Sequence, residues 1–309
     1  MTLIQPPLMV TGGVHPARAM RMMIRDLSRG SQGVTEGGDL KVRQTSTPEA
    51  GVRVGNGSAI VRGSSWGQGS YTQYNTGDAS VPIAPTGGTG RTDLLCLRVE
   101  DPEYEGNRNP ATDDVGYFHV IPGVSATATA APAGMTAVPL ARITLPPNTA
   151  TVTDAMITDL RQIANPRRER RVRLIGGFGY VPIGPQVGVW QPNWPGGAVV
   201  SFDVPAWATQ ASVVSSLHGL RISGEVYVGF RQVIGAVIGN EAQMDTDAVT
   251  GWSRASITMV DTFLWKPEQR GTEQTLTVQA GRYNASAGNI DVNGNTTMVT
   301  DVDFVEGVY

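Results

Sequence analysis

One motif in the sequence has the spacing of a hydrolytic nucleophile. Gly63-Ser64-Ser65-Trp66-Gly67 has the form glycine-x-serine-x-glycine, with Ser65 at its centre. In α/β hydrolases this motif turns from a buried strand into a helix, which exposes the serine hydroxyl. Here the residues that follow, Gln68-Gly69-Ser70-Tyr71, are typical of a turn and a strand. We therefore expect no catalytic role for Ser65 and no enzymatic activity, and a cell-wall hydrolase is the least favoured alternative.

Oxygen-bearing side chains alternate near the C-terminus in a pattern that resembles part of a calcium loop. They are Asp291, Asn293 and Asn295. The glutamate that completes such a loop is missing, and Asn293-Gly294 is typical of a tight turn. The single cysteine, Cys96, lies in an apolar stretch, and the three histidines are far apart in the sequence. The sequence thus predicts neither a metal site nor a cofactor.

Aromatic residues suggest a different kind of chemistry, which is contact with sugars. Five of the six tryptophans follow residue 174. Trp190 and Trp194 stand among prolines and glycines, so they are the candidates for exposed platforms on which a cell-wall sugar stacks. The alternative is that these rings belong to a core or an interface, because tryptophan carries a large apolar surface.

Arginines crowd the middle of the chain. Only Lys41 and Lys266 are lysines among 24 cationic residues. Guanidinium groups bind carboxylates in paired hydrogen bonds, which suits contacts between subunits. The candidates for such subunit contacts are Arg161, Arg167, Arg168, Arg170 and Arg171. The alternative for this segment is a solvated hinge. The preference for arginine over lysine is explained better by a GC-rich genome, because arginine codons are GC-rich.

The elements that must position these residues are mostly strands. Pro16 and Gly30 bracket a helix predicted from about 16 to 28, with an apolar stripe facing the core and its arginines in solvent. Apolar residues then alternate with polar ones, and glycine, asparagine and proline punctuate the gaps. In the second half, strand signals recur at 198–204, 211–223, 225–234, 254–264, 275–283 and 297–305.

These patterns predict a mainly β fold in two domains. Residues 1–165 form an N-terminal antiparallel β domain with a leading helix. Residues 166–173 form an arginine-rich linker, and residues 174–309 form a C-terminal β-sandwich of jelly-roll-like type. Glycine (38 residues) and proline (20) agree with many turns, and the 17% of charged residues is low for a soluble domain.

The charge balance excludes some partners. A formal net charge of −3 gives no general attraction to nucleic acid or to anionic membranes. No apolar run approaches the length of a transmembrane helix, and residues 1–18 lack the pattern of a signal peptide. We therefore expect synthesis in a bacterial cytoplasm.

The N-terminal half resembles minor tail or baseplate proteins of tailed bacteriophages, particularly those that infect actinobacteria. The resemblance lies in the order and spacing of short segments between residues 15 and 161. These segments are His15–Arg18, Gly38–Val42, Gly51–Gly63, Val81–Pro85, Arg91–Val99 with Asp101–Tyr104, Val120–Gly123, Val138–Ile143 and Ile157–Arg161.

The resemblance implies a structural protein of the virion. It would lie at the tail tip or baseplate, with its N-terminal part docking to other tail proteins and its C-terminal part projecting towards the host. A homo-oligomer is implied, and a trimer is favoured. A carbohydrate-binding module that recognises a host cell-wall glycan is the alternative function.

Overall fold

The computed structural model describes residue 11, residue 13 and residues 15–285 and 288–309. The prediction that residues 1–18 lack a signal peptide falls partly outside this range. The predicted mainly β fold is confirmed, with one short helix near the N-terminus of the described chain. Among the described residues, no helix combines the length and hydropathy that a membrane span requires.

Contacts along the chain define two compact units. The first comprises residues 1–166 together with Val308 and Tyr309, and the second comprises residues 167–307. The return of the last two residues to the first unit was not expected from the sequence. The backbone N–H of Tyr309 donates to the carbonyl of Gly37 at 3.1 Å, and Val308 packs against the first unit's core.

The first unit begins with a helix and continues as short antiparallel strands. Its elements are α1 (Ala17–Leu27), β1 (Gly33–Val34), β2 (Val42–Gln44), β3 (Gly51–Val54), β4 (Gly57–Arg62), β5 (Ser70–Asn75), β6 (Ala79–Pro82), β7 (Arg91–Val99), β8 (Gly116–Ile121), β9 (Ala137–Leu145) and β10 (Ile157–Asp159). They form sheets in the orders β1-β4-β5, β2-β3-β6 and β10-β9-β7-β8.

The core of the first unit collects the inward side chains of these sheets. Val52, Leu95, Leu140 and Ile143 are fully buried within it. Cys96 belongs to a smaller cluster on the other side of β7. Burial raises the pKa of the Cys96 thiol to about 12, so the thiol stays protonated at neutral pH.

The helix packs in a way that the apolar stripe does not predict. The prediction of solvated arginines is wrong for Arg21, which is buried, whereas Leu27 is exposed. The Arg21 Nε–H donates to the carbonyl of Gln68 at 2.9 Å. Its guanidinium also pairs with Asp101 at 3.3 Å and with Glu103 at 2.6 Å. These partners replace the water that the cation loses, so α1 is held by a buried ion pair rather than by its leucine.

The second unit is one antiparallel sheet of nine strands built around two long strands, where the sequence predicted a jelly-roll-like sandwich. Its elements are β11 (Arg168–Gly176), β12 (Val181–Pro182), β13 (Trp190–Gln191), β14 (Val199–Asp203), β15 (Gln210–Ile234), β16 (Val237–Leu264), β17 (Glu273–Arg282), β18 (Asn289–Val292) and β19 (Thr297–Val305). β15 and β16 form an antiparallel hairpin. The first part of β15 also pairs with β19, and its last part pairs with β17.

The inward side chains of these nine strands form a single core. Alternate residues of β19 point inward, including Met298, Val302 and Phe304. They share one apolar cluster with Phe230 of β15 and Val278 of β17. The period of two therefore decides which side chains are buried, as the sequence pattern predicted.

The predicted linker is wrong for residues 168–173. They belong to β11, which pairs with β19 over nine consecutive residues. Arg170 pairs with Asp301, with 2.9 Å between Nε and Oδ1, and Arg168 pairs with Asp303. Both pairs run diagonally across the ladder, a geometry within reach of long side chains. An arginine cluster looks like a linker in the sequence because the aspartates that it pairs with lie about 130 residues away.

The remaining predicted interface arginines also have partners inside the chain. Arg161 is almost fully buried and pairs with Asp159 at 2.8 Å. Its predicted role at a subunit interface is therefore wrong.

Arg167 and Arg171 lie in the second unit, as Arg168 and Arg170 do. Arg167 pairs with Glu306, with 3.0 Å between Nε and Oε2. Arg171 pairs with Glu169 and also donates to the carbonyl of Asp203 at 2.7 Å. An interface role for these four arginines stays a prediction, but the carboxylates that bind them belong to the same chain.

Arg21→Ala is expected to lower the free energy of unfolding of the first unit by about 2–4 kcal/mol, because it removes a buried side chain and leaves half-buried Asp101 without its cation. Urea unfolding followed by far-ultraviolet circular dichroism measures the change. Arg43→Ala, at an exposed position of β2, is the control and should change stability little. Equal losses in the two variants would contradict the assigned role of Arg21.

Acid is expected to weaken the attachment of β11 to β19. Hydrogen bonding to Arg170 lowers the pKa of Asp301. Burial would raise the pKa of Glu306, but its hydrogen bonds and charge attraction to Arg167 outweigh this and lower the pKa. A carboxyl group whose pKa is lower in the folded state stabilises the fold above its unfolded pKa of about 4. That contribution disappears as the pH falls through the folded pKa.

The double variant Asp301→Asn, Glu306→Gln should therefore lose less stability than the wild type between neutral pH and about pH 3. The urea midpoint of unfolding at each pH measures this difference. Asp245→Asn, at an exposed position of β16, is the matched control. An unchanged acid sensitivity in the double variant would show that the two ion pairs do not link β11 to pH.

Candidate functional site

The most extensive candidate site is the outer face of four adjacent strands in the second unit. The strands lie in the order β11, β19, β15 and β16. Their register aligns Val172, Asp301, Val214 and Val260 in one row across the sheet. Because successive side chains alternate between faces, the residues two positions away in each strand share this outer face. We call it the outer face, and it spans residues 168–176, 297–305, 210–218 and 256–264.

The outer face exposes large apolar side chains. The exposed fractions are 52% for Val172, 70% for Leu174, 59% for Val260 and 72% for Leu264. Between them lie small hydroxyl residues, among them Ser216 and Thr258, whose hydroxyls hydrogen-bond at 2.8 Å. These residues form two exposed apolar pairs, one on β11 and one on β16, with β19 and β15 between them. Scattered single apolar residues are ordinary on a surface, but several on one face mark a candidate site of contact with another molecule.

The charges of the outer face lie at one side. Arg168 and Arg170 of β11 are neutralised by Asp303 and Asp301 of β19. The outward residues of β16 between 256 and 264 carry no charge. The face therefore loses its charged residues from β11 towards β16.

β16 also leaves an open edge next to this face. Its residues 255–264 pair with β15 on one side, and no strand of the described chain pairs with the other side. Natural edge strands are protected by lysine, proline or bulges. Here the one charged residue in the segment, Asp261, is buried and accepts from the amide of Gln232 at 2.7 Å. An uncharged edge beside an apolar face can pair with or pack against another protein surface.

The predicted tryptophan platforms are used inside the molecule. Trp194 is 3% exposed and packs against Phe230 with 5.8 Å between ring centroids, so its predicted contact with sugar is wrong. Pro195 is buried beside it, whereas Pro192, Gly196 and Gly197 of the same loop are exposed.

Trp190 is half-buried on β13. The guanidinium of Arg231 lies over its ring, 3.9 Å from the centroid. The ring also meets the edge of Tyr283 at 6.4 Å and lies against the backbone at Gly281. Trp190 therefore takes part in an intramolecular stack and does not present the open platform that the sequence predicted.

Ser65 lies beside a surface cavity of about 460 Å³ in the first unit. It follows β4 and precedes a single helical turn at residues 66–68, so the long helix that follows the serine in a nucleophile elbow is absent. The described residues that line the cavity include no histidine, aspartate or glutamate. None of the described residues that line the cavity can therefore act as a general base for Ser65.

The predicted calcium-like segment is used for a turn and an ion pair. The N–H of Thr296 donates to the carbonyl of Asn293 at 2.8 Å, which closes the predicted turn. Both oxygens of Asp291 accept from Arg221 at 3.1 Å. The described residues contain no group of three potential metal ligands.

Sequence reasoning missed the outer face because its exposed apolar residues alternate with buried apolar residues in the same strands. In β16, Met259 and Phe263 point inward, whereas Val260 and Leu264 point outward. Alternation predicts that the two sets lie on opposite faces. It does not indicate which apolar set faces the core, so the exposed set looks like a second core.

Comparisons with known proteins add little to this description. No protein-family model matches the chain, and no curated protein matches it. Among solved structures, a mutant VP2 protein of infectious bursal disease virus in T=1 particles is 12% identical. The match covers 90% of this chain and 72% of that one, with a TM-score of 0.23.

Two further structures show the same low level of likeness. A chain of the T13 particle of infectious bursal disease virus is 11% identical over 94% of this chain and 83% of its own, with a TM-score of 0.25. The Cry4Aa toxin of Bacillus thuringiensis is 11% identical over 90% of this chain and 54% of its own, with a TM-score of 0.17. At these TM-scores the likeness carries no argument about fold or function.

Proposed function

We propose that the protein is a structural component of a bacteriophage tail tip or baseplate and that it assembles into a homo-oligomer through the outer face. The observation that carries the assembly part is the exposure of Val172, Leu174, Val260 and Leu264 beside the open edge of β16. The resemblance of residues 15–161 to phage tail proteins supports the place in the virion. The role is non-enzymatic in this proposal.

The two units have different tasks in this proposal. The N-terminal unit, which carries the resemblance, docks to other tail proteins. The second unit carries the outer face, makes the contacts between copies and approaches the host cell surface. A trimer is the oligomer that the resemblance implies, and the outer face supplies an uncharged strand edge on each copy.

The apolar face favours assembly over a free monomer for an energetic reason. Removing apolar surface from water contributes roughly 25 cal/mol per Å². Only part of this gain appears as affinity, because association costs translational and rotational freedom. Several large side chains clustered on one rigid sheet reduce that cost, since the sheet loses little further freedom when it binds.

The place in the virion can be tested on purified particles of the virus that encodes this chain. Mass spectrometry should find the protein in the particles, and antibodies against residues 168–307 should label the tail tip in electron micrographs. Absence from washed particles, or label on the head, would contradict the proposal.

The assembly surface can be tested on the full chain in solution. Val260→Asp is expected to weaken self-association by about 10- to 100-fold, because the contact would bury an unpaired charge. Light scattering coupled to size-exclusion chromatography over a concentration series measures the association.

Val237→Asp is the matched control, since Val237 is an exposed valine of the same strand outside the outer face. It should leave the association unchanged. A monomeric wild type, or an equal effect of the two substitutions, would count against the outer face as the assembly surface.

A further inference from the structure

A second surface of the second unit combines exposed aromatic rings with a fixed arginine. Trp252 and Tyr180 are 53% and 61% exposed. The guanidinium of Arg221 lies 4.0 Å from the ring centroid of Trp252 and 5.6 Å from that of Tyr180. We call these three residues with Asp291 the aromatic–arginine cluster. None of them belongs to the outer face.

The cluster is built by four adjacent strands. β12, β18, β15 and β16 lie side by side in this order. Arg221 of β15 stands opposite Asp291 of β18, and Trp252 lies on β16 two residues before the position opposite Arg221. Tyr180 immediately precedes β12. Side chains placed by paired strands keep their spacing better than side chains on separate loops.

Arg221 is held in place by a buried carboxylate. Its Nε and Nη2 groups donate to the two oxygens of Asp291 at 3.0–3.1 Å, and Asp291 is fully buried. The amides of Asn289 and Asn293 donate to the same carboxylate at 3.3 and 3.4 Å. The ion pair between Arg221 and Asp291 leaves the Nη1 group of Arg221 outside it.

The chemistry of the cluster selects one class of ligand. We infer that the aromatic–arginine cluster is a carbohydrate-binding site, with Trp252 as its stacking platform. The C–H face of a sugar ring packs on an exposed indole, and vicinal hydroxyls accept from a guanidinium and exchange hydrogen bonds with side-chain amides. Asp291 neutralises the charge of Arg221, so this guanidinium offers hydrogen bonds to a ligand without adding net charge.

The ring arrangement adds preorganisation. Arg221 stacks on the Trp252 ring as Arg231 does on Trp190, but Trp252 remains 53% exposed, whereas Trp190 is half-buried. A ligand that stacks on Trp252 meets side chains that are already ordered, which lowers the entropic cost of binding. The cluster thus supplies the exposed, fixed aromatic surface that Trp190 and Trp194 lack.

The inference rests on the proposed function where it names the host cell wall as the source of the sugar, but binding itself does not depend on assembly. Full-length protein is sedimented with purified bacterial cell-wall sacculi and is screened against an array of free oligosaccharides. The wild type should bind the sacculi. Competition by array-selected sugars distinguishes recognition of the sugar itself from recognition of another wall component.

Trp252→Ala is expected to lower the apparent affinity for sacculi by about tenfold or more, as loss of a central aromatic contact does. Tyr180→Ala should lower it as well, and Trp252→Phe should retain part of it. Trp66→Ala is the matched control, because Trp66 is an equally exposed tryptophan beside an arginine in the first unit. Circular dichroism checks that each variant is folded.

No binding by the wild type to sacculi or to any array sugar would overturn the inference, and so would equal losses in Trp252→Ala and Trp66→Ala. Binding that no free sugar competes for would also overturn it, since the ligand would then be another wall component. Each of these results leaves the proposed function intact if the protein is found at the tail tip. Conversely, sugar binding by a protein that is absent from particles would remove the proposed function and keep the site.

Discussion

The fold of the second unit depends on β15, which pairs with β19 in its first part and with β17 in its last part. A strand of 25 residues is far longer than the usual 3–10 residues of a globular protein. Its register with β16 shifts around Gly219 and Gly224, both of which have a left-handed φ. Such bulges bend a strand and increase its twist. β15 can therefore leave β19 and continue beside β17 without losing its pairing with β16.

Gly219 is constrained twice. Its φ of 73° is strained for residues with a side chain, and a Cβ there would lie 2.7 Å from the carbonyl oxygen of Asn295. The position just beyond the bulge carries Arg221, and the segment 210–218 before it contributes to the outer face. Both proposed surfaces therefore depend on the same local geometry, although neither includes the glycine itself.

A buried polar network fixes the register of the long hairpin. Gln232 accepts from the Ser215 hydroxyl at 2.7 Å and donates to Asp261 at 2.7 Å. Asp261 also accepts from the backbone N–H of Asn240 at 2.6 Å. A slip of one residue would send these groups to the opposite face and leave their partners unsatisfied in the core. The network thus selects one register among the many that an alternating apolar pattern allows.

Local features of this fold could be predicted from the sequence, whereas its long-range pairing could not. The strand at 297–305 and the turn at Asn293-Gly294 follow from alternation and turn chemistry. The predicted break between 211–223 and 225–234 coincides with the bulge at Gly224, yet the chain continues there as one strand. The first half of β16 escaped prediction because Glu241, Asp245 and Asp247 give that edge segment little apolar alternation.

The candidate surfaces show the same division. The arginine cluster was visible in the sequence, but its partners Asp301, Asp303 and Glu306 are set by the pairing of β11 with β19. Trp252 is exposed and Trp194 is buried, and no local sequence pattern predicts this difference. Exposure depends on the assembled sheet, so exposed residues can be identified only after the long-range strand pairing is known.

The two edges of the outer face limit the kind of assembly that it can form. The β11 edge carries charged residues, and its ion pairs with β19 would have to be rearranged or desolvated by a strand that added there. The β16 edge has no such barrier. A head-to-tail contact of β16 with β11 could continue indefinitely as a fibre. In the proposed homo-oligomer, charges at β11 oppose that contact, so the copies meet at their uncharged β16 edges around a symmetry axis and growth stops.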